Sequence, residues 1–190
     1  MGRKLAGGSF DTGRHRREGV RMTKYVALLR AVNVGGTGKL PMTELKSMCA
    51  SAGFLNPRTY IASGNVVFES KLSESAVKAK LEHCMANYAG KPVEVLVRTG
   101  PEMAAVLAKN PFKSRAPNQT VAIFLDEKPP KDTLKTISGQ GEEEVALGAR
   151  EIYVHYGDGM GRSKLKIPAA IGGTARNMNT VAKLAEWASE

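Results

Sequence analysis

The chain has 190 residues, of which 42% are hydrophobic and 24% charged, enough apolar material for a packed core in one domain or two small ones. It contains no run of about 18 apolar residues, and the first 22 residues lack the apolar core of a signal peptide. We therefore predict a cytoplasmic protein with no membrane span, and its net charge of +10 favours anionic partners.

The beginning of the chain differs in composition from the rest. Residues 1–21 hold six basic and two acidic residues, a net charge of +4, and show no hydrophobic periodicity. We expect residues 1–22 to be a disordered extension, an expression artefact or a misassigned start. A nucleic-acid-binding arm is the alternative. The remaining charge of +6 favours anionic partners only mildly.

Residues 23–99 carry the pattern of a ferredoxin-like half. An apolar run over residues 25–32, broken only by Arg30, predicts a strand buried on both faces, and apolar spacing over residues 42–52 predicts a helix. A hairpin is predicted around the turn Ser63-Gly64-Asn65, and a second helix begins at the capping residue Ser73. With a further strand after that helix, the order of elements is typical of the ferredoxin-like fold.

Residues 100–190 contain similar segments in a less regular order. A helix is predicted over residues 101–109, and a loop at Gly172-Gly173-Thr174 leads to a last helix over Asn177–Ser189. Between these helices the pattern predicts three strands, at 120–125, 144–149 and 151–156. The fold class is α+β, with two ferredoxin-like halves, antiparallel or mixed sheets, and helices packed on one face.

Three stretches of the sequence are distinctive: ALLRAVNVGGTGKLPMTEL at 27–45, TYIASGNVVF at 59–68 and TARNMNTVAKL at 174–184. They resemble the domain-of-unknown-function 1697 family of uncharacterised bacterial proteins. The resemblance covers roughly residue 22 to the end and implies two ferredoxin-like halves, without implying any chemistry. Met178 stands where the family usually carries Trp, so any contribution of that ring to a binding surface would be missing.

Two glycine loops are candidates for a binding site. The first loop resembles a phosphate-binding P-loop, but Asn33 and Leu40 stand where that motif needs Gly and Ser or Thr, which argues against nucleotide hydrolysis of that class. Leu40 is also a poor helix cap, so free N–H groups beside Lys39 would attract an anion. The alternative is that Thr43 or the loop backbone satisfies those donors.

The second loop precedes the last helix and carries Arg176. We expect the two loops to face each other in a cleft at the junction of the halves and to hold a small anion or phosphate group. Helix capping and packing between the halves are the alternatives. The candidate site consists of Arg30, Asn33, Gly35, Gly36, Lys39, Arg176, Asn177 and Asn179.

Arg30 is the most unusual member of this set because it interrupts a buried strand. A buried guanidinium needs carboxylate or carbonyl partners. Arg30 would therefore either bind an anionic ligand, or pair with a carboxylate of the protein, or reach solvent at the end of the strand.

No reaction can be assigned, and whether the protein is an enzyme stays open. Ser63 has no histidine close in sequence to activate it. The histidines are far apart, and Cys49 and Cys84 fall on apolar helix faces, which predicts buried thiols. We expect no metal and no cofactor, and the oligomeric state is left open.

Contact with nucleic acid is an alternative function. The third strand, Val66–Glu69, lacks the glycine and aromatic signature of an RNA-recognition domain, so specific single-strand recognition is not expected. Non-specific contact with phosphates would use the basic residues Lys113, Arg115, Arg162, Lys164 and Lys166. An enzyme that uses the cleft between the glycine loops is the third alternative.

Overall fold

The computed structural model describes residues 21–33 and 39–190. Gly35 and Gly36 of the candidate site lie outside these residues, as does nearly all of the predicted N-terminal extension. Within the described part, the chain forms two four-stranded antiparallel sheets and four α-helices. None of those helices is both long enough and apolar enough to cross a membrane.

The first half of the chain forms one antiparallel sheet. Its strands are β1 (Thr23–Leu29), β2 (Leu55–Tyr60), β3 (Asn65–Ser70) and β4 (Val95–Thr99). They lie in the order β2-β3-β1-β4. Helices α1 (Met42–Ser51) and α2 (Glu74–Ala89) pack on one face and share a buried apolar cluster with it. The ferredoxin-like order predicted for this half is confirmed.

The second half repeats this sheet without its helical crossovers. Its strands are β5 (Thr120–Phe124), β6 (Glu144–Leu147), β7 (Glu151–His155) and β8 (Thr174–Asn177). They lie in the order β6-β7-β5-β8, which matches the first sheet strand for strand. The connections contain only short 3₁₀ turns, at 133–135, 157–162 and 168–170, because their prolines and glycines disfavour longer helices.

Helices α3 (Gly100–Ala108) and α4 (Met178–Ser189) lie between the two sheets. Their apolar residues share one cluster with Val26 and Leu28 of β1 and with Phe124 of β5. Successive side chains of a strand point to opposite faces, so β1 is buried on both faces, as its apolar run predicted. The α+β class is confirmed. The first sheet has helices on both faces, because α1 and α2 cover one face and α3 and α4 cover the other.

Strand β8 forms where the sequence predicted the end of a loop, at Thr174, and the start of the last helix, at Asn177. Asn177 does cap the last helix, since its side chain accepts from the Thr180 N–H at 2.9 Å, but the helix begins at Met178. The sequence does not predict this four-residue strand, because it has no apolar pattern. Its extended conformation comes from pairing with β5. Met178 is 3% exposed within the cluster between the sheets, so this position lies in the interior and not on a binding surface.

Candidate functional site

Arg176 joins the two halves from the middle of β8. The residue is only 7% exposed, and its guanidinium makes five hydrogen bonds to neutral oxygen atoms. In the first half it donates to the carbonyl oxygens of Leu29 at 2.9 Å and Ser63 at 2.8 Å, and to the side chain of Asn65. Burial lowers the pKa of Arg176 to about 10. An arginine has five N–H groups, so this side chain has no donor left for a ligand.

Arg30 also contacts the other half of the molecule. Its guanidinium pairs with the Glu94 carboxylate and donates to the carbonyl oxygen of Ile171, in the loop before β8. The side chain lies beyond the end of β1 and keeps 35% of its surface exposed. This geometry is the structural pair at a strand end that the sequence offered as the alternative to ligand binding.

Asn33 connects the chain before α1 to the hairpin between β2 and β3. Its amide nitrogen donates to the carbonyl oxygens of Leu40 at 2.9 Å and Ala62 at 2.8 Å. Its amide oxygen accepts from the Leu40 N–H at 2.7 Å. Asn33 thus contacts Ala62, while Arg176 contacts Ser63 and Asn65, so residues near both glycine loops hold the same hairpin.

The hairpin turn is closely packed against the end of β1. Gly64 has a φ of +78°, and a Cβ there would lie 2.4 Å from Val32 Cγ2. Three residues around the junction, Ala31, Asn33 and Ile61, also have positive φ values, of 51°, 54° and 48°. A β-branched residue such as Ile61 rarely adopts this conformation, which persists only where the surroundings impose it. The end of the first sheet is therefore held in one specific, strained arrangement.

A pocket of about 290 Å³ lies beside this junction, between the end of β1 and the C-terminal end of α2. We call it the Lys39–Lys91 pocket, after the two lysines that line it. Among its described lining residues there is no acidic side chain. Tyr88 also lines the pocket, and the apolar lining consists mainly of Val32, Leu40, Met85 and Val93.

The start of α1 is adjacent to this pocket. Pro41 is the N-cap residue, one position later than the predicted cap Leu40, and its carbonyl oxygen accepts from the N–H groups of Glu44 and Leu45. No side chain among the described residues caps this helix, and Thr43 does not do so. Lys39 is exposed two residues before Pro41. Lys39 is thus a charged residue of the predicted site that lines this pocket.

Residues 22–153 match the family described as "Protein of unknown function (DUF1697)". The chain belongs to this family. The resemblance seen in the sequence is confirmed, although the stretch 174–184 lies beyond the matched range. A solved structure of a conserved bacterial protein, SP0830 from Streptococcus pneumoniae, is 26% identical, with a TM-score of 0.75, over 88% of this chain and 99% of that one. No curated protein matches the chain.

In this DUF1697 member the remaining predicted residues have simpler roles. Asn177 caps α4, and Asn179 is exposed on that helix. Arg115, one of the basic residues considered for nucleic acid, pairs with Glu144 at 2.7 Å. Within residues 21–33 and 39–190, no cluster of His, Cys, Asp and Glu has the geometry of a metal site.

Sequence reasoning did not identify Asn65, Lys91 or Tyr88 as part of this region. Asn65 was read only as a turn residue, yet its side chain is fully buried and accepts from Arg176. The amide nitrogen of Asn65 finds local partners in Tyr60 and Ser63, but Arg176, which donates to its amide oxygen, is 111 residues away in the chain. Lys91 and Tyr88 lie at the end of α2, and only the folded sheet brings them to Lys39.

Proposed function

We propose that this protein is a binding module for a small anionic ligand, held in the Lys39–Lys91 pocket. The observation that carries the proposal is the charge of this pocket: two lysines and no acidic side chain among its described lining residues. An anion placed there would gain two favourable interactions without meeting a carboxylate of the described lining.

The shape and lining of the pocket support a small molecule as the ligand. Ligand pockets are usually concave and mostly apolar, with a few polar groups that orient the ligand. Here Val32, Leu40 and Met85 would contact the body of the ligand, and the lysines its charged group. Lysine is a flexible point charge and suits anions of several shapes, from carboxylate to phosphate.

The rigidity of the neighbouring junction also supports binding. The contacts of Asn33 and Arg176 hold the hairpin against the end of β1, from which Ala31 and Val32 extend into the pocket wall. A wall fixed in advance lowers the entropic cost of binding. Arg30 and Arg176 would then shape the site, while Lys39, with Lys91, would contact the anion.

Thermal melting of the full chain tests this proposal. The panel contains inorganic phosphate, acetate, benzoate, mononucleotides and a short single-stranded DNA. A ligand present at about 100 times its dissociation constant stabilises the folded state by about 2.7 kcal/mol, which gives a measurable shift in Tm. We expect a shift with at least one small anion, and we expect Lys39→Ala and Lys91→Ala each to remove most of it.

The matched control is Lys46→Ala, which removes an exposed lysine of α1 outside the pocket. The shift should survive this change, since a loss in all three variants would indicate general charge attraction. A response to DNA alone, abolished by salt and unchanged in the pocket variants, would instead favour the nucleic-acid alternative. If no anion on the panel shifts the Tm, the pocket does not bind this class of ligand.

A further inference from the structure

A second pocket lies in the other half of the molecule and shares no lining residue with the first. It has a volume of about 270 Å³ and lies between the segment that precedes β6 and the 3₁₀ turn that follows β7. Four charged side chains, two of each sign, line it: Glu142, Glu143, Arg162 and Lys164. We call it the Glu143–Arg162 pocket.

These four charges are unpaired within the described part of the chain. Eight ion pairs with N–O distances of up to 4.0 Å occur among those residues, and none of them involves Glu142, Glu143, Arg162 or Lys164. Acidic and basic side chains thus line one small pocket without forming an ion pair with each other. A ligand that carries both charges would complement this arrangement.

Glu143 is the fixed member of the set. The residue is only 9% exposed, and its carboxylate accepts from the Ser163 hydroxyl and from the Gly141 N–H, the latter at 2.6 Å. These hydrogen bonds, chiefly the one from Ser163, lower the pKa of Glu143, so the side chain is an anion at neutral pH. Both partners are neutral, so no cation pairs with this carboxylate, and an ammonium group placed beside it would gain a charge-assisted hydrogen bond.

The walls of the pocket are tied together by backbone contacts. Ser138 and Lys166 exchange two hydrogen bonds, of 3.1 and 2.8 Å, which join the segment before β6 to the chain after the 3₁₀ turn. Gly139 has a φ of +65°, and a Cβ there would lie 2.2 Å from the carbonyl oxygen of Lys164. This close approach requires glycine, and it brings the segment that carries Glu142 and Glu143 next to the one that carries Arg162 and Lys164.

We infer that the Glu143–Arg162 pocket binds a zwitterionic small molecule of amino-acid size. The ammonium group of the ligand lies against the Glu143 carboxylate, and its carboxylate lies toward Arg162 and Lys164. A volume of about 270 Å³ falls just below the range typical of drug-sized ligands, which favours a molecule as small as an amino acid or a dipeptide. This inference is independent of the Lys39–Lys91 pocket, which presents one sign of charge.

Calorimetric titration of the full chain tests the inference, with the standard amino acids and glycylglycine as probes. Each probe that binds is compared with its N-acetyl form, which lacks the ammonium group, and with its amide, which lacks the carboxylate. We expect the zwitterion to bind at least about tenfold more tightly than either blocked form, because each form loses one charge-assisted hydrogen bond. Equal affinity for all three forms, or no binding at about 10 mM, would overturn the inference.

Variants then assign the binding to this pocket. Glu143→Gln and Arg162→Ala are each expected to weaken binding at least about tenfold, whereas Lys113→Ala, an exposed lysine outside the pocket, leaves it unchanged. Circular dichroism shows whether Glu143→Gln still folds; if it does not, the exposed Arg162 decides the question. Undiminished binding in Arg162→Ala places the ligand elsewhere and overturns the assignment.

Discussion

Arg176 donates a hydrogen bond to the carbonyl oxygen of Leu29, 2.9 Å away, across 147 residues of sequence. This contact joins the last strand of the second sheet to the end of the first strand of the chain. The buried cation has only neutral oxygen partners, and all of its N–H groups are used. At this point the contact between the halves is polar and specific, and it depends on a single side chain.

Replacing Arg176 with Met should destabilise the protein by about 3 kcal/mol or more. The change leaves the acceptors on Leu29, Ser63 and Asn65 without their donor, and each buried unsatisfied acceptor costs about 1–3 kcal/mol. Urea denaturation gives the free energy of unfolding. Arg115→Met is the control, since this exposed ion pair should contribute less than about 1 kcal/mol. Equal effects of the two changes would contradict the role assigned to Arg176.

Gly64→Ala and Gly53→Ala should differ in cost although both glycines have positive φ values. Both substitutions strain the backbone, by about 1–2 kcal/mol. At Gly53 a Cβ would meet nothing within 4 Å, whereas at Gly64 it would lie 2.4 Å from Val32 Cγ2. We expect Gly64→Ala to lose about 2 kcal/mol more, as is usual for overpacking, in the same urea measurement. Similar losses at the two positions would show that the hairpin can move away from Val32.

The Glu102 carboxylate should contribute to stability in a pH-dependent way. Burial raises its pKa, but hydrogen bonds from Thr99 and the charge and hydrogen bond of Arg150 outweigh this and hold the pKa below its ordinary value of 4.5. A carboxyl with a lowered folded-state pKa stabilises the protein fully above its unfolded-state pKa and loses that contribution as pH falls through the folded-state value.

The measurement compares the native protein with Glu102→Gln in urea at several pH values. We expect the difference in unfolding free energy to be constant above about pH 5 and to shrink as pH falls below about 4.5. In an Arg150→Met background the pH dependence should be smaller, because one cause of the lowered pKa is gone. A difference that does not vary with pH would contradict this account.

Cys49 and Cys84 should differ in reactivity. Cys49 is fully buried, and burial raises the pKa of its thiol to about 12, whereas Cys84 is partly exposed. The thiolate is the reactive form, and about one Cys49 in ten thousand is ionised at pH 8. Maleimide labelling followed by mass spectrometry should modify Cys84 in the folded protein and Cys49 only in denaturant. Cys84→Ser is the control, and labelling of this variant without denaturant would contradict the prediction.

Several features of this protein could be read from short stretches of sequence. The apolar run of β1 indicated burial on both faces, and Ser73 and Gly90 indicated the ends of α2, where Ser73 accepts from the Ala76 N–H and Gly90 has a φ of 67°. Capping and periodicity act over a few residues, so one segment contains the whole signal. The ferredoxin-like order of the first half followed from these signals.

The contacts between the halves were decided only by the tertiary structure. The partners of Arg30 and Arg176 depend on which strands pair and how the sheets are stacked, and no local pattern distinguishes a guanidinium that binds a ligand from one that binds carbonyl groups. The position of α3 and α4 between the sheets, and the two charged pockets, depend on the same long-range packing. The sequence alone thus determined the helices and strands of the first half and the order of its sheet. The folded chain decided which charged side chains are paired and which are not, because burial and pairing are properties of the assembled sheets.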